Sequence, residues 1–391
     1  MGSSAAYFAA KAGKRVLLLE QFALLHGKGS SHGSSRIFRV AYPNDEYTTL
    51  SLTSLEMWHE IEREADVRLI EMTGELDFAP ERNDELCDLE QTLVAHQVPF
   101  EVLTGAEVNE RFPGFSLEES SHAVLNPTAG VLNPTLAMAT FQKLARGLGA
   151  EIREHSSVEA VFGEVQADGP TIAAVNLADG TAVRARQCII TAGAWTEKLM
   201  NQSASAKLKL QPIATFGTYW KCKEELYTPA KFPVFIKYGH PEVYGLPMVD
   251  PSEGVKICRH DGPPVDPDSR AGITQPAAEL EQLCAFVADN FSHVDASAPN
   301  KVDDCMYTMT EDSNFVIDFL DVPSRTGSKT ASAKKKVVVG AGFSGHGAKM
   351  TPVIGQILAD LALTGETKHP VELFRLNRSA VLSPGVATVT S

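Results

Sequence analysis

The sequence predicts an α/β protein in which a parallel-sheet domain carries a more antiparallel domain as an insert. Three observations support this. Residues 337–349 read Val-Val-Val-Gly-Ala-Gly-Phe-Ser-Gly-His-Gly-Ala-Lys, a buried-strand signal that breaks into a glycine-rich turn. The chain opens with a small-residue helix, Gly2 to Ala12, followed by an apolar strand closed by Glu20. Between these ends lie strand-rich stretches, near 66–127 and 213–262, that lack a strand–helix–strand rhythm.

In chain order, small side chains in the first helix allow close packing on a sheet, and Gly13 suits a C′ stop. Residues 15–19 form a strand. The acid that follows, Glu20, lies where a dinucleotide-binding βαβ unit grips a ribose hydroxyl, and Gly2 would be the third glycine of Gly-x-Gly-x-x-Gly. The first strand and first two glycines of that fingerprint do not appear, so an incomplete start is expected. Any α/β protein could also begin with such a helix and strand.

Leu52, Leu55, Trp58, Ile61 and Ala65 recur at helical spacing over 47–65. A charged helix is expected near 83–96, one from Asn133-Pro134 to about 148, and one over 276–290. Strands are expected over 150–195, ending at Cys188-Ile189-Ile190, and again over 305–319. After the glycine turn, Thr351 as N-cap and Pro352 at the first helical position open the last helix. Residues 324–336 read as a basic surface loop and the tail from Ser379 as disordered. The expected domains are 1–66 with 128–212 and 300–391, and 67–127 with 213–299.

The length of 391 residues favours two domains over one core. A net charge of −14 argues against nucleic acid or an anionic membrane as partner. No apolar run reaches the length of a membrane span, and no signal-peptide pattern opens the chain. Six scattered cysteines without Cys-x-x-Cys suit a reducing compartment, and the eleven histidines show no metal spacing, so no metal is expected.

Three motifs stand in one order: Gly29-Ser30-Ser31-His32-Gly33-Ser34-Ser35-Arg36-Ile37-Phe38-Arg39, then Cys305-Met306-Tyr307-Thr308, then Gly340-Ala341-Gly342-Phe343-Ser344-Gly345-His346-Gly347-Ala348-Lys349. That order resembles the monomeric sarcosine oxidase family, which includes the peroxisomal sarcosine/pipecolate oxidases and N-methyltryptophan oxidase. The resemblance runs from Met1 to about Arg378. It implies covalently held FAD and oxidation of a small secondary amino acid by O₂ to an imine and hydrogen peroxide, in a monomer. Ala348 and Ser31 depart from the family, which usually has Phe and one of a His-His pair there.

By resemblance, Cys305 is the attachment point of the flavin and Tyr307 lines the site. A lone Cys is otherwise more often a small buried hydrophobe. Arg36 and Arg39, three apart on a strand, should face opposite sides and do different work. A guanidinium fork matches a carboxylate bidentately; the resemblance gives that role to Arg39 with Lys349 as second cation, and places Arg36 and His32 beside the flavin. Read alone, the two arginines could belong to a basic surface turn and His32 could be structural.

Lys256, Cys258 and His260 alternate onto one face, a pattern that by itself suits the solvent side of an edge strand. The resemblance instead puts Lys256 over the flavin, where a cation would stabilise reduced oxygen, and sets His260 and Tyr244 beside the substrate amine. Gly342, Gly345, His346 and Gly347 would meet the flavin mainly through backbone, with Gly2 and Glu20 completing the cofactor set. Two other readings are a fructosyl-amino-acid oxidase or related flavin dehydrogenase, and an inactive truncated flavoprotein. A cytoplasmic or peroxisomal location is expected, although Val389-Thr390-Ser391 is not a Ser-Lys-Leu signal.

Overall fold

A computed structural model describes residues 1–165, 171–203, 208–324 and 336–381. Arg325, Lys329, Lys334 and Lys335 of the expected basic loop, and the tail beyond 381, lie outside the described residues. The chain divides into two compact units: Met1–His32 with Thr135–Pro212 and Tyr307–Ser391, and Gly33–Pro134 with Ile213–Met306. Residues 33–66, 128–134 and 300–306, expected with the cofactor domain, fall in the second unit.

The first unit is built on short sheets. Leu17–Leu19 pairs parallel with Glu151–Arg153, and Cys188–Ile190 pairs parallel with Val337–Ala341, whose other edge meets Val316–Leu320 antiparallel. Val158–Val165, Thr171–Leu177 and Ala182–Ala185 form an antiparallel meander. Period-2 alternation sends Val337, Val339 and Ala341 into a core with Val161, Val175, Ile190, Leu210 and Leu320. On the opposite side Gly340 lies against Leu358 of the last helix, Thr351–Thr364, so closely that a Cβ would meet it at 2.9 Å. That helix packs against the first one, Gly2–Lys11. The two meet at Ser4 and Gly355, where a Cβ on Gly355 would lie 2.0 Å from Ser4 Oγ.

Pro352 enters the last helix in its first turn, but the N-cap is Met350 and makes no side-chain cap bond. Thr351 is already helical, and its hydroxyl donates to the Ala348 carbonyl at 2.7 Å. Residues 348–350 form a 3₁₀ turn that runs straight into the helix, so the entry is tightened before a cap can form.

The second unit centres on an eight-stranded sheet. Its order is Lys301–Met309, Gln211–Trp220, Val255–Arg259, Val243–Leu246, Val234–Lys237, Glu75–Ala79, His122–Asn126, Glu101–Thr104. The Val234 and Glu75 strands pair parallel. One sheet face is apolar: Leu76, Phe78, Leu125, Phe235, Val243, Val255 and Ile257 form a core with Phe115, Phe232 and Phe291, covered by Leu283 and Val287 of the helix Ala277–Asn290. The other face carries the polar side chains described below. A three-stranded antiparallel sheet of Arg36–Arg39, Ala129–Leu132 and Ile70–Met72 completes the unit. The helices Asp45–Ala65 and Asp84–Ala95 start under Asn44 and Asn83, whose side chains accept the Tyr47 and Leu86 amides.

Candidate active site

Register aligns the second unit's candidates. Asp77 lies opposite Ile236, Ile236 opposite Tyr244, and Tyr244 opposite Cys258. Residues so paired share a sheet face, as do their neighbours two positions along. Glu75, Asp77, Tyr244, Lys256 and Cys258 therefore stand on one face, opposite the phenylalanine core. His260 follows the same strand, and its ring stands edge-on to Tyr244 at 6.0 Å between centroids.

Lys256 is 6% exposed. Its Nζ lies 5.4 Å from the centre of the Tyr219 ring. Burial pulls its pKa below the usual lysine range, Arg36 acts the same way, and Cys258, Cys305 and Asp303 oppose them. Arg36 Nη1 donates to the Ser35 carbonyl at 2.8 Å and Nη2 to Cys305 Sγ at 3.5 Å. A fixed positive charge therefore stands beside the half-buried thiol.

Arg39 points elsewhere, as its spacing from Arg36 requires. Its Nη1 meets Tyr238 Oη at 3.1 Å, Asp77 Oδ1 at 3.5 Å and Glu75 Oε1 at 3.7 Å, and the guanidinium lies 4.2 Å from the Tyr42 ring centre. Arg39 is 8% exposed, and both acids are fully buried. Burial works against the guanidinium charge, but Tyr238, Glu75, Tyr42 and Asp77 outweigh it and hold the Arg39 pKa above its ordinary value. Burial also raises Asp77 to about 7, against the pull of Arg39 and of a hydrogen bond from Tyr238. Sequence reasoning missed Glu75 and Asp77. Glu-Leu-Asp-Phe-Ala does alternate, but acid at every second position reads as a solvent face. The three-stranded sheet of Arg36–Arg39 packs over this face, with Arg39, Tyr42 and Tyr238 against the acids, and this cover is what buries them.

In the first unit the turn after Val337–Ala341 takes left-handed backbone at Gly342 (φ 57°), Ser344 (φ 42°) and Gly345 (φ 79°). Glycine supplies two of these without strain. The Ser344 amide donates to the Thr308 carbonyl at 3.0 Å, and the Ser344 hydroxyl to the Gly342 carbonyl at 3.1 Å. Gly347 lets the chain pass Phe343, which a Cβ would meet at 2.7 Å. The His346 ring lies 4.6 Å from Phe315 with its Nε2 3.2 Å from the Ser313 carbonyl. Lys349 is 6% exposed and its Nζ donates to the His346 carbonyl at 3.0 Å. Tyr307 is buried one residue before Thr308.

Near the chain start, Gly2 lies against Thr191, whose Oγ1 a Cβ would meet at 2.7 Å. Glu20 Oε1 accepts the Phe22 amide at 2.9 Å and stands 3.4 Å from His26 Nε2. His32 Nδ1 is 2.7 Å from the Gly29 carbonyl. No group of three or more His, Cys, Asp or Glu that could hold a metal occurs among the described residues.

A family model described as "FAD dependent oxidoreductase" matches residues 1–361. The chain belongs to this family. Among its relatives, the probable sarcosine oxidase of Arabidopsis thaliana is 37% identical over 94% of this chain and 86% of that protein. The monomeric sarcosine oxidase of Bacillus sp. (strain B-0618) is 32% identical over 97% and 94%, and the peroxisomal sarcosine oxidase of Homo sapiens 31% over 96% and 93%. Among solved structures, NikD, an unusual amino acid oxidase, superposes with a TM-score of 0.77 at 23% identity over 95% of this chain and 94% of that one. Glycine oxidase from Geobacillus kaustophilus gives 0.74 at 18% identity over 96% and 95%. These two share the fold class expected from the sequence.

The residues of this FAD-dependent oxidoreductase suit the flavin group. The glycine turn brings backbone close without side chains. Beside it the Thr308 hydroxyl is buried with no hydrogen-bond partner within the protein, the kind of orphan a bound ligand satisfies. The short side chains of Gly2, Ser3 and Ser4 open the first helix, where amide N–H groups can meet a phosphate.

Proposed function

We propose that this oxidoreductase oxidises the C–N bond of a small secondary amino acid, such as sarcosine or pipecolate. The amine and O₂ give the imine and hydrogen peroxide. The observation that carries this reading is the single sheet face on which Tyr244 and Lys256 stand, with His260 beside Tyr244 and Arg36 bonded to Cys305. The sarcosine oxidase relatives support the substrate class.

FAD, when bound, supplies the two-electron acceptor. Gly2, Glu20, His32, Gly342, Gly345, His346 and Gly347 are the proposed cofactor contacts, and Cys305 the covalent attachment, with Arg36 beside its sulfur. Arg39 and Lys349 hold the substrate carboxylate. A carboxylate would meet the Nε–Nη2 edge of Arg39, since the contacts to Tyr238, Asp77 and Glu75 all use Nη1. Tyr244, His260 and Tyr307 border the amine and its substituent, which orients the reacting C–H bond. Lys256, buried and cationic, stabilises negative charge developing on O₂.

The protein acts as a monomer on a small molecule and resides in the cytoplasm or in peroxisomes. Relatives named monomeric, and two named peroxisomal, support this. No helix among the described residues is long and apolar enough to cross a membrane.

The test is the absorption spectrum of acid-precipitated protein, followed by a peroxide assay with sarcosine, pipecolate and fructosyl-lysine. Flavin absorbance retained in the pellet supports the Cys305 link, and its complete loss to the supernatant removes it. Peroxide from sarcosine or pipecolate supports the substrate class. Turnover of fructosyl-lysine alone would replace it.

A further inference from the structure

Arg39 is not a lone cation awaiting an anion. One guanidinium stands against two fully buried carboxylates, Glu75 at 3.7 Å and Asp77 at 3.5 Å. Asp77 also lies in the cross-strand row that holds Tyr244, so the acids share the face of the proposed substrate residues. A substrate carboxylate would bring a third negative charge to a site where Arg39 and Lys349 are the two proposed cations, leaving one buried anion without a counter-charge. Buried anions without balancing charge are strongly disfavoured, and the usual relief is protonation of one of them.

We propose that Asp77 is a positioning residue that controls how firmly Arg39 holds a substrate carboxylate, and that the carboxylate binds together with one proton. The proton comes from solvent and resides on the Asp77 carboxyl. The guanidinium then faces one internal anion and one from the substrate. No covalent bond to carbon changes. The inference rests on the reading of Arg39 as the carboxylate anchor.

The surroundings of Asp77 leave few other groups to titrate with it. Arg39 approaches from its own strand, Glu75 from the same strand as Asp77, Tyr42 from the segment after Arg39, Tyr238 from the end of the Val234 strand, and Tyr244 across Ile236. Lys237 belongs to the opposite face and donates to the Gly239 and Pro241 carbonyls at 3.1 Å. Tyr42 and Tyr238 are raised by burial beyond the ordinary phenol range and stay neutral near pH 7. Burial brings Asp77 to about 7, so its protonation can follow ligand binding at moderate pH.

The experiment uses flavin-loaded enzyme and 2-furoate, a small carboxylate with no amine to oxidise, followed by the flavin absorbance change. Wild-type Kd should rise about tenfold per pH unit from pH 7.5 to 9, as binding coupled to one proton requires. Asp77→Asn should bind furoate tightly with a flat profile. In weakly buffered solution with an indicator dye at pH 8.5, the wild type should take up about one proton per furoate bound. An equal slope in Asp77→Asn, or no proton uptake by the wild type, overturns the proposal even if the variant folds poorly. Arg39→Met separates the two levels. Furoate affinity that survives Arg39→Met refutes the anchor itself; affinity that needs Arg39 but ignores Asp77 refutes only the proton coupling. Tighter binding of an N-methylated diamine than of furoate at pH 9, lost in Asp77→Asn, also overturns it, because the acids would then be selecting a cation.

Discussion

Arg39 and Lys256 are both buried cations, held by different means. Arg39 keeps its charge through two carboxylates and two tyrosines, whereas Lys256 has a ring and several polar neighbours and its pKa falls. A guanidinium tolerates burial with anionic partners better than an ammonium does without them. Changing Lys256 to Met keeps length while removing the charge. The variant should slow flavin reoxidation by O₂ by roughly 10²-fold or more, the scale of one lost electrostatic stabiliser, and barely affect reduction by substrate. Anaerobic and aerobic stopped-flow traces separate the half-reactions, and equal slowing of both would remove the role. Asp77 makes a second prediction. Its pKa in the fold, about 7, is raised by burial above the ordinary aspartate value of 3.8. Its contribution to stability is therefore fully present below about pH 3.8 and is lost as pH rises through about 7. The full loss is on the order of 4 kcal/mol, of which about 3 kcal/mol falls between about pH 5 and pH 8. Urea unfolding at pH 5 and pH 8 should show a smaller drop in Asp77→Asn than in wild type; identical drops would show that Asp77 does not carry the pH dependence.

At the level of elements, small residues decide what can approach. Gly355 lies within the last helix, where alanine ordinarily stabilises by about 1 kcal/mol. Here an added Cβ would meet Ser4 at its hydroxyl (2.0 Å) and at its backbone carbonyl carbon (2.9 Å), so the first helix would have to move. Gly355→Ala should lower stability by about 1–3 kcal/mol in spite of the better helix propensity, as overpacking does. Thermal or urea denaturation tests the sign, and a stabilised variant would mean that the two helices do not meet as closely as described. The eight-stranded sheet shows the same economy at larger size. Its alternation places phenylalanines on one face and charge on the other, and the charged face escapes solvent because the three-stranded sheet packs over it.

Across the whole molecule, each unit is assembled from distant stretches of chain, two for the second unit and three for the first. Such long-range closure is entropically costly, so a ligand that binds only the folded state adds stability by mass action. In Cys305→Ala, where FAD can bind only reversibly, FAD at about 100 times its Kd should add about 3 kcal/mol, and the flavin-loaded variant should melt several degrees above its flavin-free form. Differential scanning calorimetry of both forms measures this. Equal melting temperatures would contradict flavin binding to the fold described.

Much of this protein was legible in its sequence because the relevant physics is local. Helical spacing marked the helices now seen at Asp45–Ala65, Asp84–Ala95 and Ala277–Asn290. Three consecutive β-branched residues and four glycines marked the strand and the left-handed turn at 342–345. Alternation put Lys256 and Cys258 on one face, and a spacing of three separated Arg36 from Arg39. Pairing across the sheet was not legible. Glu75 and Asp77 are 36 and 38 positions from Arg39, and only the register of the Glu75, Val234 and Val243 strands places Asp77 in the row of Tyr244. Only the layer that packs over the sheet, carrying Arg39 and Tyr42, turns an alternating acid pattern from a solvent face into a buried one. The sequence by itself determined which residues could carry charge, turn the chain or pack. The tertiary structure decided which charges meet, because burial and strand neighbours belong to the assembled fold.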